Sequence, residues 1–231
     1  MGQAYSTRTG TAHPKFREVG LPAAALIGLN VLLMAVVAMT PLAAINDLLF
    51  GVAPIVGLLV FGVALTGGNY LAEKGLESGE MGMAYAGIAL LQAAYGIFGG
   101  GIVATVGSQS ARAVLLGVTL AITVAMTVGI AAYVYVRDKD YSHWNTWSLG
   151  AFVIGTVLVL VGSFVSIGAV LLGGFVFIFA GFTLRLGYEI WRVRDGYRAD
   201  QPLIHSLGIY VAFTGVFVHV LQIVRQFVLE R

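Results

Sequence analysis

The sequence predicts an all-α, polytopic membrane protein with seven transmembrane helices. Three observations carry this: 58% of the residues are hydrophobic against 10% charged, the mean hydropathy is +0.90, and the apolar residues gather into seven runs long enough to cross a bilayer. The 31 glycines fit the same class, because small residues let helix backbones approach where lipid supplies no hydrophobic drive for association. With no cysteine in the chain, disulfides, thiolate metal sites and cysteine catalysis are excluded. A net charge of +2 is too small to suggest a nucleic-acid partner.

Residues 1–19 are polar, with Gly, Ser and Thr scattered among basic residues, and are expected to form a short mobile tail ahead of a transmembrane domain over 20–231. Basic residues before an apolar segment also suggest a signal peptide, but the run 20–45 exceeds the apolar core of such peptides, about 7–15 residues. "MGQAYS" fits the myristoylation pattern through Gly2 and Ser6, a pattern short enough to arise by chance.

A span needs about 20 apolar residues. The runs 20–45, 48–70, 82–106, 112–136, 147–166, 168–191 and 203–228 qualify, punctuated by "IND" at 45–47, "AEKGLESGE" at 72–80, "GSQSAR" at 107–112, "RDKDYSHWN" at 137–145 and "RVRDGYRADQP" at 192–202. Only a weak break near Ser163–Gly168 separates the fifth and sixth runs. Together they are about twice the length of one span, so a helical hairpin is expected there. If the N-terminus is inside, ten of the thirteen Lys and Arg fall on or beside the inner segments, against Arg112, Arg225 and Arg231 outside. The positive-inside rule therefore places the N-terminus in the cytoplasm and the C-terminus outside.

Seven spans invite comparison with retinal proteins, which hold their chromophore on a lysine of the last helix. The three lysines, Lys15, Lys74 and Lys139, lie in tails or loops on this reading, so a Schiff-base photoreceptor is excluded. The sequence has no Walker motif and no HExxH, and its four histidines stand at 13, 143, 205 and 219. "GGGI" at 99–102 lies inside an apolar run and reads as close helix packing rather than a phosphate loop. No nucleophile and base constellation supports an enzyme, and no cofactor is implied.

Polar groups inside the spans are costly in hydrocarbon and are the default candidates for a functional path. Asn30, Gln92, Thr119, Thr123, Thr127, Thr156 and Thr214 are neutral and read as interhelical or back-bonded hydrogen-bonding groups. Arg185 and Glu189 are four residues apart, on one helical face and within pairing reach. Arg192 and Arg194 read as anchors of the helix end. Glu189 has two readings: a solvated residue at the cytoplasmic end, loosely paired with Arg185 or Arg192, or a proton- or cation-responsive carboxylate facing the bundle interior. His205, Ala212, His219 and Gln226 recur every seven residues and form one stripe on the last helix. Its histidines are either hydrogen-bonded packing groups or titrating members of a path.

Two stretches resemble the Bax inhibitor-1 family of seven-span membrane proteins. "VYVRDKDYSHWNTWSLGAF", 134–152, is similar to the family's loop after the fourth helix, matching at Lys139, Asp140, Ser142 and Trp144. "LGYEIWRVR" with "HSLGIYVAFTGVFVHVLQIVRQF" is similar to the family's ending, with Tyr188, Tyr210, Phe213 and Phe217 in place and Arg225 near a terminal arginine. The resemblance covers roughly 85–228, and the first two helices only by hydropathy. It implies a Bax inhibitor-1-like bundle in a prokaryotic cell membrane.

In family members that act as pH-sensitive calcium leaks, two aspartates of the last two helices share a proton. By this resemblance Glu189 stands at the first position and keeps the carboxylate, while Ala212 stands at the second and removes it. A lone acid loses the coupling that tunes a dyad and part of its affinity for calcium. The sequence therefore suggests that His219 or His205, on the stripe of Ala212, replaces the missing partner. The expected function is a passive, pH-modulated calcium or proton leak, with Glu189 as gate and candidate calcium ligand and Arg185 or an inner-loop arginine as latch. The alternative is a non-transporting regulator that binds other membrane proteins, such as a protease or stress-response factor.

Overall fold

The computed structural model describes residues 16–51 and 54–229. The polar tail with Gly2 and Ser6 therefore lies for the most part outside the described residues. Among those residues the chain forms eight helices and no strand: α1 Phe16–Ala38, α2 Ala43–Gly51, α3 Pro54–Ser78, α4 Met81–Ala104, α5 Gln109–Val136, α6 His143–Val165, α7 Gly168–Asp195 and α8 Pro202–Leu229. All but α2 are long and apolar enough to cross a membrane. The all-α bundle of seven candidate spans is therefore present.

Two boundaries differ from the sequence reading. The run 20–45 is not one helix. It stops at Ala38, the Met39 and Thr40 N–H groups turn back onto Val36 and Val37 carbonyls at 3.1 Å each, and Pro41 has no N–H to continue the ladder. The short α2 follows and packs on α3 and α4. The stretch "AEKGLESGE" is helical as far as Ser78, since Ala, Glu, Lys and Leu are strong helix formers. Gly79 then takes φ +76°, the left-handed conformation that commonly ends a helix at glycine. The expected α6–α7 hairpin is present, turning through Ser166 at φ 53°, ψ 34°, with the Ser166 N–H returning to the Gly162 carbonyl.

The helices meet through glycine. An added Cβ on Gly87 would lie 2.3 Å from the Ala72 nitrogen, and one on Gly75 would lie 2.3 Å from the Ala84 nitrogen, so α3 and α4 touch backbone to backbone. Gly155 and Gly174 bring α6 against α7 in the same way, each ideal Cβ standing 2.9 Å from the other's carbonyl oxygen. Gly99 and Gly100 of "GGGI" receive Met34 and Val37 of α1, and Gly101 receives Asn46 of α2.

The centre of the bundle is α8. In its apolar window 78% of residues are buried, against 56% in α4 and 17–28% in the other five spans, and α1, α3, α4, α5 and α7 surround it. Five of the seven neutral polar groups follow the two expected patterns, whereas the side chains of Thr119 and Thr156 make no hydrogen bond with the described residues. Asn30 of α1 donates to Gln92 Oε1 of α4 at 2.8 Å and to Tyr210 Oη of α8 at 3.4 Å, while Tyr95 Oη donates to the Val211 carbonyl at 3.1 Å. Thr123, Thr127 and Thr214 bond back to the carbonyls of Thr119, Thr123 and Tyr210, four residues earlier. Interhelical polar bonds of this sort each contribute about 1 kcal/mol in lipid.

Gly87→Ala is expected to destabilise the detergent-solubilised protein by about 1–3 kcal/mol, because the Ala72 backbone cannot yield without parting α3 from α4. Gly28→Ala, with nothing within 4 Å of its added Cβ, is expected to be neutral or stabilising by up to about 1 kcal/mol. Thermal melting of the two variants side by side checks the contrast.

Candidate functional site

The last three turns of α7 carry four candidate side chains at helical spacing: Arg185, Tyr188, Glu189 and Arg192. Glu189 is wholly buried, with 0% side-chain exposure, whereas Arg185 and Arg192 retain 28% and 26%. Arg185 Nη2 stands 2.7 Å from Glu189 Oε1. That contact is an ion pair without an aligned hydrogen bond, because Oε1 accepts none. Arg192 Nη1 donates to Oε2 at 3.0 Å. Both guanidinium groups also lie over the Tyr188 ring, with their carbons 5.3 and 5.7 Å from its centroid. Arg185 Nη1 is fixed in addition to Asn145 Oδ1 of α6 at 2.6 Å.

The carboxylate rests against the backbone of α8. An added Cβ on Gly208 would lie 2.5 Å from Glu189 Oε2 and 2.6 Å from its Cδ, so only glycine admits the acid in this position. The stripe on α8 is completed by glycine: Gly208 and Gly215 alternate with His205, Ala212 and His219 at three- and four-residue steps, on one face. Gly215 accepts the Phe182 ring, its ideal Cβ lying 2.1 Å from Phe182 Cδ1. Ala212 is fully buried, one turn beyond Gly208.

The structure separates the two histidines. His219 Nδ1 lies 2.8 Å from its own helix's Gly215 carbonyl, and its ring sits among Phe175, Phe179 and Phe182 at 5.0, 5.8 and 5.6 Å. It lies eleven residues past Gly208, about 16 Å along the axis at 1.5 Å per residue, and does not contact Glu189. His205 is nearer, one turn before Gly208, and is buried. Its Nε2 accepts from the Arg198 N–H at 3.2 Å and its ring faces Tyr197 at 5.5 Å, so it braces the α7–α8 connection. Tyr197 in turn donates to Glu18 of α1 at 2.5 Å. Neither histidine therefore occupies the place of a second acid, because Gly208, between them, is what the carboxylate touches.

Arg192 and Arg194 do more than anchor the helix end. Arg192 is the hydrogen-bonding partner of Glu189. Arg194 donates to the Val134 carbonyl, to Arg137 O at 3.2 Å and to Lys139 O at 2.7 Å, joining α7 to the end of α5. The loop residues 139–144 are ordered locally: Ser142 N donates to Asp140 Oδ1 at 2.7 Å, and the Trp144 ring lies over Gly187.

Beside the clamp lies a cavity of about 560 Å³ between α3, α4, α6, α7 and α8, and Arg185, Gly208 and Glu73 are among its lining residues. Glu73 is close enough to act electrostatically on Glu189. Sequence reading missed Glu73, since it assigned "AEKGLESGE" to a loop, and it missed Gly208, although the latter's three- and four-residue offsets from His205 and Ala212 were there to be read. Among the described residues no three His, Asp or Glu side chains converge to hold a metal ion. Both contacts of Glu189 are cationic, so this arrangement repels calcium until an arginine moves.

Comparison with curated proteins and with solved structures returns no match. The model of the family described as "Inhibitor of apoptosis-promoting Bax1" matches residues 23–228, which extends the resemblance from the C-terminal half to the first helices. The chain belongs to that family, the Bax inhibitor-1 family, and is an integral, multi-pass membrane protein of it.

Proposed function

We propose that the protein is a passive, pH-modulated cation leak for protons or calcium, with Glu189 as gate and Arg185 and Arg192 as its latch. The observation that carries this reading is the wholly buried carboxylate, held by two arginines of its own helix against a glycine of the central helix. Charges of this kind inside a bundle persist where they serve a path or a switch.

Protonation of Glu189 abolishes both ion pairs at once. The arginines are then left without their anion and are drawn outward to water, which loosens α7 from α8. The charged and titratable groups around the carboxylate are Arg185 and Arg192 on α7, Glu73 on α3 and His205 on α8. Acidification is therefore expected to open the leak, with calcium finding a ligand in Glu189 only after an arginine has left. This reading keeps the arrangement inferred from charge: the tail over 1–19 and the N-terminus in the cytoplasm, the bundle over 20–231, the C-terminus outside, in a prokaryotic cell membrane. On this reading the protein is not an enzyme.

A second reading is favoured by Ala212, which leaves α8 without a carboxylate to share a proton or a calcium ion with Glu189, and by the two cations paired with that acid. On that reading the protein is a non-transporting regulator of a membrane partner, such as a protease or stress-response factor.

Calcium and proton flux into vesicles containing the reconstituted chain, across steps between neutral and acid pH, separates the two. Each loss of about 1.4 kcal/mol of closed-state preference raises the open fraction about tenfold, so Glu189→Gln is expected to leak at least about tenfold faster at neutral pH and to lose the pH response. Gly208→Ala, which displaces the carboxylate without changing charge, is expected to raise the leak while keeping part of that response. His219→Ala should leave the pH profile unchanged. Wild-type vesicles that leak no faster than empty ones would sink the channel reading and leave the regulator.

A further inference from the structure

The cavity beside the clamp is amphiphilic along its length. On α3 its wall runs from Leu58 to Glu73, fifteen residues or about 22 Å at 1.5 Å per residue. One end is apolar, formed by Leu58, Phe61, Leu65, Phe152, Ile178 and Phe182. The other carries Thr66, Asn69, Tyr70 and Glu73 on one face of α3, with Ser148 of α6 and Arg185 of α7 opposite. Thr66, Asn69 and Glu73 make no side-chain hydrogen bond or ion pair with any described residue. An acid and two neutral polar groups left uncommitted within a spanning helix are costly, which points to an occupant that satisfies them.

The opening is sideways. α3 and α6 scarcely touch, and the rim between them is exposed, Tyr70 at 59% and Leu149 at 56%. Both helices are candidate spans, so the medium at this slot is the bilayer. The volume of about 560 Å³ is ordinary for a ligand site lined mostly by carbon with a few placed polar groups, roughly 300–1,000 Å³.

We infer that this slot between α3 and α6 binds one chain of a phospholipid whose headgroup carries both a phosphate and a primary ammonium. The acyl chain lies along Leu58, Phe61 and Phe152. Arg185 has already committed one N–H to Asn145 and faces Glu189 with another nitrogen, and a guanidinium has five N–H donors, so donors remain for the phosphate. The ammonium meets the carboxylate of Glu73 and the amide oxygen of Asn69. A primary ammonium donates three hydrogen bonds to such acceptors, whereas a quaternary ammonium donates none and a glycerol headgroup offers two hydroxyl donors without the charge.

Native mass spectrometry of the full chain, released from detergent after titration with phosphatidylethanolamine, phosphatidylcholine or phosphatidylglycerol of identical chains, tests this by mass alone. It is thus independent of whether any ion flows. One phosphatidylethanolamine per chain is expected to be retained about tenfold more than the other two. Glu73→Gln should bring the three within about twofold of one another. Leu65→Trp, which fills the apolar end, should remove the retained lipid. Leu149→Trp, on the exposed rim where a fold defect is not at issue, should block the slot to the same effect. Equal retention of the three lipids by the wild type, a preference that survives Glu73→Gln, or undiminished retention in Leu149→Trp would each overturn the inference.

Discussion

A carboxylate in the interior of a bilayer bundle has no water to solvate it, and the surroundings of Glu189 follow from that one constraint. Isolated, the ion would cost several kcal/mol in such a medium. Two arginines at three- and four-residue spacing on the same helix compensate it, and removing both would leave a buried charge uncompensated, at a cost of about 3–5 kcal/mol. The arginines need holding in their turn. The Tyr188 ring contacts both, Asn145 of α6 fixes one, and their side chains keep part of their exposure. The acid also needs room, which α8 provides by having no side chain at Gly208. A single ionisable atom group thus dictates side chains on three helices.

The same absence of water explains why glycine governs the rest. Lipid tails are as apolar as leucine, so the helices gain nothing by hiding apolar surface from them and associate by close packing instead. Gly75 and Gly87 set α3 on α4, Gly155 and Gly174 set α6 on α7, and Gly208 and Gly215 let α7 side chains reach the α8 backbone. Helix α8 is enclosed because its glycine stripe accepts Glu189 and Phe182 on one side while Tyr210 meets Asn30 and Tyr95 on others.

Hydropathy is a one-dimensional property, and the features it governs were legible. The number of spans and the hairpin at 163–168 follow from apolar length alone, and the spacing of Arg185 and Glu189 predicts their pairing. Breaks that depend on backbone chemistry were harder to see. Pro41 interrupts a run whose hydropathy continues past it, and Glu73 to Ser78 stays helical although its charge suggests a loop. The enclosure of α8 was not legible, because a helix facing lipid and a helix facing protein are equally apolar. For the same reason the heptad stripe of His205, Ala212 and His219 located the face of α8 that meets Glu189 but not the residue it touches. Side-chain chemistry drew attention to the histidines, whereas the carboxylate is received where side-chain chemistry is absent, at Gly208.

Arg185 belongs to both the clamp and the cavity wall, and this joins the two proposals thermodynamically. A headgroup phosphate at Arg185 competes with Glu189 for one guanidinium, so lipid binding weakens the latch by whatever share of that cation it takes. Linkage is reciprocal: a change of Glu189 that releases Arg185 strengthens phosphate binding by the same factor. Glu73 acts in the opposite sense. Left unpaired, its charge bears on Glu189, and pairing it with an ammonium removes that repulsion and favours the ionised, latched form. A lipid with both groups therefore pulls on the gate from two sides, whereas an anionic lipid, engaging only the arginine, would bias it towards release.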